Sequence, residues 1–341
     1  MLLGVLVMLG LVLSACSTGS GGESDKSDGT TASQSTSGTP TVPISSSVAP
    51  SSSAPPSSTA PAVPNKKVHL SSLQNDGTTW GIGMPIVLFA TPAPTDSTEF
   101  TKNVKVTVGG EPADGAWFWS QPLAEERKAG TYEAHYRPKH YWPANSDVEV
   151  TLDLAGKSAG KGLEYDGKLT SISFKIGDAH RSVVDASSLR MTIYDNNKEV
   201  KTLKVSLGSA EHPTYNGTKV VMQKGEADPK TGELRKNGTV LMSGQGYTNT
   251  VAQWSMRLTN SGEYLHSAPW NNGIGARSTS HGCTNLTTSD AKWLYEFSEV
   301  GDVVEYVGTP GGKMPSWDGY GDWNVPWGQW QQGGKLLNHP S

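Results

Sequence analysis

Cysteine is nearly absent: the 341 residues hold two, Cys16 and Cys283. An excess of either charge is absent too, with 28 Lys+Arg against 32 Asp+Glu and a formal net charge of −4. There is no basic footprint, which argues against nucleic acid as a partner. No apolar run reaches the ~18 residues of a membrane-spanning helix, which excludes a polytopic membrane protein. Hydrophobic residues make up only 35%, and part of that deficit has one source. Residues 17–64 are almost entirely Ser, Thr, Pro, Gly and Ala. What is plentiful is turn chemistry: 39 Gly and 21 Pro punctuate many short β-branched runs. The folded part therefore reads as mainly β, and its length suits two domains.

The N-terminus carries an apolar run, Leu2 to Leu13, that ends in Leu13-Ser14-Ala15-Cys16. No Lys or Arg precedes it. Small residues before a Cys resemble the bacterial lipobox, so residues 1–15 are expected to be a cleaved signal peptide and Cys16 to be lipidated. Two acyl chains would anchor the protein stably to the outer face of the cytoplasmic membrane, facing the cell wall. The remainder of 16–65 cannot bury enough apolar surface to offset its ordering entropy, so it reads as a disordered linker. A flexible chain of that length spans on the order of 40 Å, from ~5–6 Å times the square root of residue number.

With Cys16 lipidated, Cys283 has no intramolecular disulfide partner. A lone Cys in an exported protein is inert and buried, paired between molecules, or reactive.

Two β-rich blocks follow. Over 66–179, Val104-Lys105-Val106-Thr107-Val108 alternates with period two. So do Val148, Val150, Leu152 and Leu154, and again Ile172, Phe174 and Ile176. Such spacing predicts an all-β sandwich with Trp117, Trp119, Tyr132, Tyr136, Tyr141 and Trp142 supplying core rings. Over 180–308, Met191, Ile193, Val200, Leu203, Val205 and Leu207 read as a hairpin around Asp195-Asn196-Asn197. Val220-Val221-Met222 and Val303–Val307 read as further strands. One helix is predicted from about Thr288 or Ser289, with Trp293, Leu294 and Phe297 on one face and a Ser/Thr cap beside Asp290. The last segment, 309–341, sets Trp317, Trp323, Trp327 and Trp330 among Gly and Pro, and these are expected to pack a tail onto the domains.

The chemistry concentrates between the strands and that helix, in Ser280-His281-Gly282-Cys283-Thr284-Asn285. His266 stands seventeen residues before Cys283, in Leu265-His266-Ser267-Ala268-Pro269-Trp270. The thiolate is the nucleophile of a thiol enzyme and requires a nearby imidazole; His266 and His281 are both candidates. Gly282 lets the backbone approach a ligand, so amides around Cys283 could hold an oxyanion. The following helix is expected to lower the thiol pKa through its dipole. A zinc site would lack both a C-x-x-C pair and an H-E-x-x-H helix, so neither metal nor other cofactor is assigned. Papain-like enzymes place Cys before His, the reverse of this order. Sortases carry an Arg after the Cys, and no Arg follows Cys283.

The spaced His266 with Ser280–Asn285 resembles the signature of the L,D-transpeptidase (YkuD) family, specifically its actinobacterial lipoproteins. Tyr136-Arg137-Pro138-Lys139-His140-Tyr141-Trp142-Pro143 looks like their immunoglobulin-like domain. Thr214–Thr218 with Val220–Met222 looks like their catalytic core, and Gly321-Asp322-Trp323-Asn324-Val325-Pro326-Trp327 like their C-terminal segment. The resemblance implies an immunoglobulin-like sandwich followed by a YkuD-type β-sandwich. It also implies a carbapenem-sensitive enzyme of cell-wall biogenesis that forms 3→3 cross-links between peptidoglycan stem peptides. Cys283 would attack the diaminopimelate carbonyl of a donor tetrapeptide. His266 would take the thiol proton, its other nitrogen held by the Ser267 carbonyl. Amides of Gly282 and Cys283, with Tyr247, would hold the oxyanion. D-Ala would leave, and a second stem's amine would resolve the thioester. By the same matching Met222, Tyr247, Trp270, Ser280, His281 and Asn285 would bind substrate. Two alternatives share these residues: an L,D-carboxypeptidase or protein-anchoring enzyme using the same Cys, and a non-catalytic wall-binding lipoprotein.

Overall fold

The computed structural model describes residues 65–120, 132–244, 247–334 and 336. Cys16, the expected signal peptide (1–15) and nearly all of the expected linker (16–65) lie outside the described residues.

The first block packs a six-stranded sheet on a five-stranded one. Period-two alternation becomes alternate burial, since successive strand side chains face opposite sides. Asp147–Leu152 and Ser171–Ile176 each alternate exposed and buried along their whole length. Their register sets Val106 beside Val150 and Phe174 beside Val148, so the apolar sets share one face. Phe100 sits edge-on between Trp117 and Trp119, with centroids 5.1 and 4.9 Å away. Trp142 is buried with them and Tyr141 packs at the margin, so these rings are core.

One strand departs from alternation. Tyr132–Pro138 is buried at every position. Tyr132, Ala134 and Tyr136 enter the sandwich core, while Glu133, His135 and Arg137 are buried on the other face. The C-terminal segment covers them. The Arg137 guanidinium lies 4.8, 5.1 and 4.7 Å from the ring centroids of Trp323, Trp327 and Trp330. It also donates to the Val325 carbonyl at 2.9 Å. Trp330 stacks on Phe118 at 4.6 Å, and its Nε1–H donates to the Ala116 carbonyl. The expected packing thus holds for three of the four tryptophans. Trp317 differs, with 46% of its surface exposed.

The second block holds a five-stranded sheet in the order Lys198–Lys204, Arg190–Asp195, His180–Asp185, Val303–Val307, Gly217–Val220. Asn196 and Asn197 both take positive φ, as a two-residue hairpin turn requires. Val200 lies in the hairpin as read from the sequence, and it is 42% exposed. A register shift between Ile193 and Tyr194 interrupts pairing opposite that strand's outer end. A four-stranded sheet runs Gln223–Lys224, Met256–Arg257, Tyr264–Ser267, Thr284–Leu286, and a two-stranded hairpin joins Val240–Gly244 to Tyr247–Ala252. The helix Thr288–Phe297 buries Ala291 and Leu294. Its cap is Thr287, whose side chain accepts from the Asp290 amide at 3.2 Å.

A charged knot joins the first block to the C-terminal segment. His135 lies 3.0 Å from Asp322 and 3.1 Å from Glu133. Burial alone would depress its imidazole, but the two carboxylates outweigh it and hold the ring at about 10. A raised folded pKa gives stability that is fully present below about pH 6.5 and lost as pH rises through about 10. We therefore expect His135→Gln to cost about 3–5 kcal/mol near pH 6, because it leaves two buried carboxylates uncompensated. Thermal melts of wild type and variant should converge between pH 6.5 and 10; a gap that stays constant would refute a charged His135.

Candidate functional site

Parallel pairing of Tyr264–Ser267 with Thr284–Leu286 builds the site. The register places His266 opposite Asn285 and Ser267 opposite Leu286. Cys283 therefore enters at the mouth of the second strand, two residues before the partner of His266.

The loop ahead of Cys283 is pinned at several points. Ser280 N–H donates to Leu207 O at 3.0 Å and Ser280 O accepts from Ser209 N–H at 2.8 Å. Ser280 Oγ donates to the Cys283 carbonyl at 2.6 Å. Thr214 Oγ1 donates to the Gly282 carbonyl at 2.8 Å. Gly282 takes φ +112°, a conformation that side chains rarely tolerate. Its amide donates to Ser280 Oγ at 3.2 Å, so at rest it is not open to an oxyanion as expected.

His266 is buried, and both ring nitrogens are engaged. Nδ1–H donates to the Ser267 carbonyl at 2.9 Å. This fixes the tautomer, leaving the Nε2 lone pair to accept from Asn285 Nδ2 at 3.0 Å. Asn285 is held in turn by Asn271, whose amide donates to Asn285 Oδ1 at 2.8 Å. Trp270 faces the imidazole at 6.2 Å and is 59% exposed, a rim rather than a core ring.

The thiol does not bond to His266. Its S–H donates to the Gly262 carbonyl at 3.6 Å, and Tyr247 Oη lies 3.6 Å from Sγ. Tyr247 also donates to Gly262 O, and burial raises its phenol well above the ordinary value. His281 is exposed, its ring 4.7 Å from His212 and 6.1 Å from Tyr247.

The helix does not lower the thiol pKa as expected. A three-residue strand and the Thr287 cap separate Cys283 from its first turn, beyond the reach of a dipole effect that fades within a turn. Burial instead pushes the thiol up to about 11, only partly offset by hydrogen bonds from Tyr247 and the Tyr264 amide. Burial likewise pulls His266 down to about 4, against the pull of the Ser267 carbonyl. At rest the pair is neutral thiol and neutral imidazole.

These groups open onto a cavity of about 420 Å³ that Met242 and Thr250 of the hairpin overhang. Tyr247, Trp270, Ser280, His281 and Asn285 line it with Cys283 and His266. Met222 does not. Its amide bonds to Arg257 O and its sulfur packs beside Gly319.

Behind the cysteine loop lies a pair that pattern reading missed. The ammonium of fully buried Lys219 pairs with the Glu263 carboxylate and sits 3.8 Å from the Tyr306 ring. Glu263 Oε1 accepts from the Tyr215 amide at 2.7 Å. Neither residue stands out in the sequence: Lys219 lies in the short strand Gly217–Val220, two residues after a Gly.

Comparison with known proteins agrees with this geometry. Residues 179–305 match the L,D-transpeptidase catalytic domain, and residues 26–158 match a bacterial Ig domain. L,D-transpeptidase 2 of Mycobacterium tuberculosis is 32% identical over 265 residues, covering 76% of this chain and 61% of the relative. L,D-transpeptidase 1 of that organism is 29% identical over 234 residues, 68% of this chain and 82% of the relative. A solved L,D-transpeptidase in complex with imipenem superposes with a TM-score of 0.52 at 28% identity, covering 70% of this chain and 97% of that one. The chain spans 61% and 56% of the length of the first two curated relatives it matches.

A neutral thiol held near 11 makes a direct forecast. Alkylation of the free protein by iodoacetamide should accelerate about tenfold per pH unit between pH 7 and 10, tracking the thiolate fraction. A rate already on its plateau by pH 8 would show a pre-formed thiolate.

Proposed function

Because this chain carries an L,D-transpeptidase catalytic domain, we propose that it cross-links peptidoglycan stem peptides through a Cys283 thioester. The observation that carries this reading is the fixed tautomer of His266, whose Nε2 keeps the lone pair, on a ring that lines one cavity with the buried thiol. In the first half-reaction Sγ bonds to the diaminopimelate carbonyl carbon of a donor tetrapeptide, and the thiol proton passes to His266 Nε2. Asn285 yields that nitrogen as the substrate enters, since apo hydrogen bonds often differ from those of the reacting complex. Collapse breaks the amide C–N bond, and the proton on Nε2 goes to the leaving D-Ala amine. In the second, the side-chain amine of another stem attacks the thioester, forming the 3→3 amide. Its proton returns through His266 to the departing Cys283 sulfur. Tyr247 Oη, already a donor, is placed to stabilise the carbonyl oxygen as it gains charge.

Neutrality suits this order. A pre-formed ion pair would place two charges in a buried site without compensation. Moving the proton only as the carbon–sulfur bond forms avoids that state.

Imipenem supplies the test. Sγ attack on its lactam carbonyl opens the ring, the nitrogen taking the proton, so the adduct gains the mass of the whole drug. Intact mass of the folded full chain should show one adduct, absent in Cys283→Ala. Folded wild type with no adduct would overturn the acyl-transfer reading.

We further propose that Cys16 anchors the protein to the outer face of the cytoplasmic membrane, with the Ser/Thr/Pro stretch as its tether toward the wall. The support is the Leu13-Ser14-Ala15-Cys16 motif after an apolar run. Cys16→Ala should move the protein from the membrane pellet to the soluble fraction; an unchanged distribution would sink the anchor.

A further inference from the structure

The cleft is charged on one side only. Of the residues that line it, Arg277 alone belongs to Lys, Arg, Asp and Glu. Its side chain is exposed, and no carboxylate, hydroxyl or carbonyl among the described residues engages its guanidinium. A second cation flanks it: the stem of exposed Lys204 lies against Gly275, where a Cβ would come within 2.8 Å of Lys204 Cδ. Lys204 also has no acid partner among the described residues. Lys204 does not line the cleft, so Arg277 is the one cation that does, in a chain of net charge −4.

Arg277 is not a loose surface residue. Its amide donates to Gly273 O at 2.9 Å, and its carbonyl accepts from Ser206 Oγ at 2.8 Å. Its stem crosses Gly273 so closely that a Cβ there would sit 2.8 Å from Arg277 Cγ. The same loop is tied to the base. Gly273 N–H and the Thr279 hydroxyl both donate to Asn271 Oδ1, at 2.8 and 3.2 Å. Asn271 then holds Asn285, which holds His266. The fork and the base share one hydrogen-bonded frame.

We propose that Arg277 forms a carboxylate subsite, binding a free carboxylate of a stem peptide and discriminating against the amidated form of that group. The proposal rests on the transpeptidase reading above and adds its specificity. A planar guanidinium matches a carboxylate with two parallel N–H···O bonds, which a primary amide accepts only in part and without charge. Either stem could present that group: the acyl donor, whose binding is read in the first half-reaction, or the acceptor, read in the second.

The test uses the full chain as wild type, Arg277→Gln and Arg277→Lys, with synthetic stems that differ only in one carboxylate or carboxamide. D-Ala release at fixed acceptor reads the donor. Cross-linked product at fixed donor reads the acceptor. Wild type should favour the carboxylate stem about tenfold in kcat/KM in one arm, the scale of a charge-assisted contact. Arg277→Gln should collapse that ratio to within about twofold of unity, and Arg277→Lys should keep part of it. A ratio in Arg277→Gln equal to that of wild type, or no preference in wild type in either arm, overturns the subsite while leaving the transpeptidase intact. No D-Ala release from either stem by folded wild type overturns both.

Discussion

The site depends on one parallel strand pairing, Tyr264–Ser267 against Thr284–Leu286. Side chains alternate along a strand, so a slip of one residue would turn His266 and Asn285 to opposite faces. The register is held by what lies beneath it. Leu265 and Leu286 are buried in the core of the second block, and the backbone continues the lock where the Ala268 amide meets the Leu286 carbonyl at 2.9 Å. With that register fixed, Nδ1 of His266 has one place to go, the carbonyl of its own neighbour. The base nitrogen is then chosen by backbone geometry rather than by a carboxylate.

That choice has an electrostatic consequence. A histidine oriented by a carbonyl gains little extra basicity, and burial takes it far below its ordinary range. The thiol is driven in the opposite direction by the same burial. A site built this way does not store a thiolate. It holds two neutral partners on separate hydrogen bonds, Cys283 toward Gly262 and His266 toward Asn285. The buried Lys219–Glu263 pair fits the same economy of charge. It puts a compensated dipole behind the loop, its two members exerting opposite pulls on the thiol.

Much of this was legible in the sequence, and what escaped did so for physical reasons. Cys283 and His266 were readable because a nucleophile and its base leave residue types that little else requires, whereas the Ser267 carbonyl came only from the family resemblance. The alternation of 147–152 and 171–176 was readable because one face of each strand is wet. Tyr132–Pro138 was not, since both of its faces are covered and the second cover comes from residues nearly two hundred positions away. Lys219 and Glu263 are 44 residues apart, and each alone looks like an ordinary surface charge. Met222, assigned by the family resemblance, is not among the residues lining the cavity, because position in a motif does not say which way a side chain turns. The helix was found, but a three-residue strand between it and Cys283 is too short to announce itself, and it removes the dipole from the chemistry.

The C-terminal segment is where domain architecture meets the thiol. Asn324 mimics a strand edge, accepting from the Thr218 amide at 2.9 Å and donating to the Thr218 carbonyl at 2.7 Å. Gly217 takes φ +96° beside it, and a Cβ there would strike Asn324 Oδ1 at 2.4 Å, so the approach requires glycine. Thr218 adjoins Lys219. Further along, buried Asp318 accepts from the Ser261 amide at 2.7 Å, fixing the turn that presents the Gly262 carbonyl to both Cys283 and Tyr247. The same segment is clamped to the Ig-like sheet by Arg137 and His135. The sandwich does not touch the thiol through these contacts. The sandwich instead fixes a strap, and the strap fixes the carbonyl on which the resting nucleophile hangs. A sandwich with no catalytic residue of its own is thereby a structural determinant of the site, which accounts for so many buried polar groups on a face that a free-standing sandwich would leave to water.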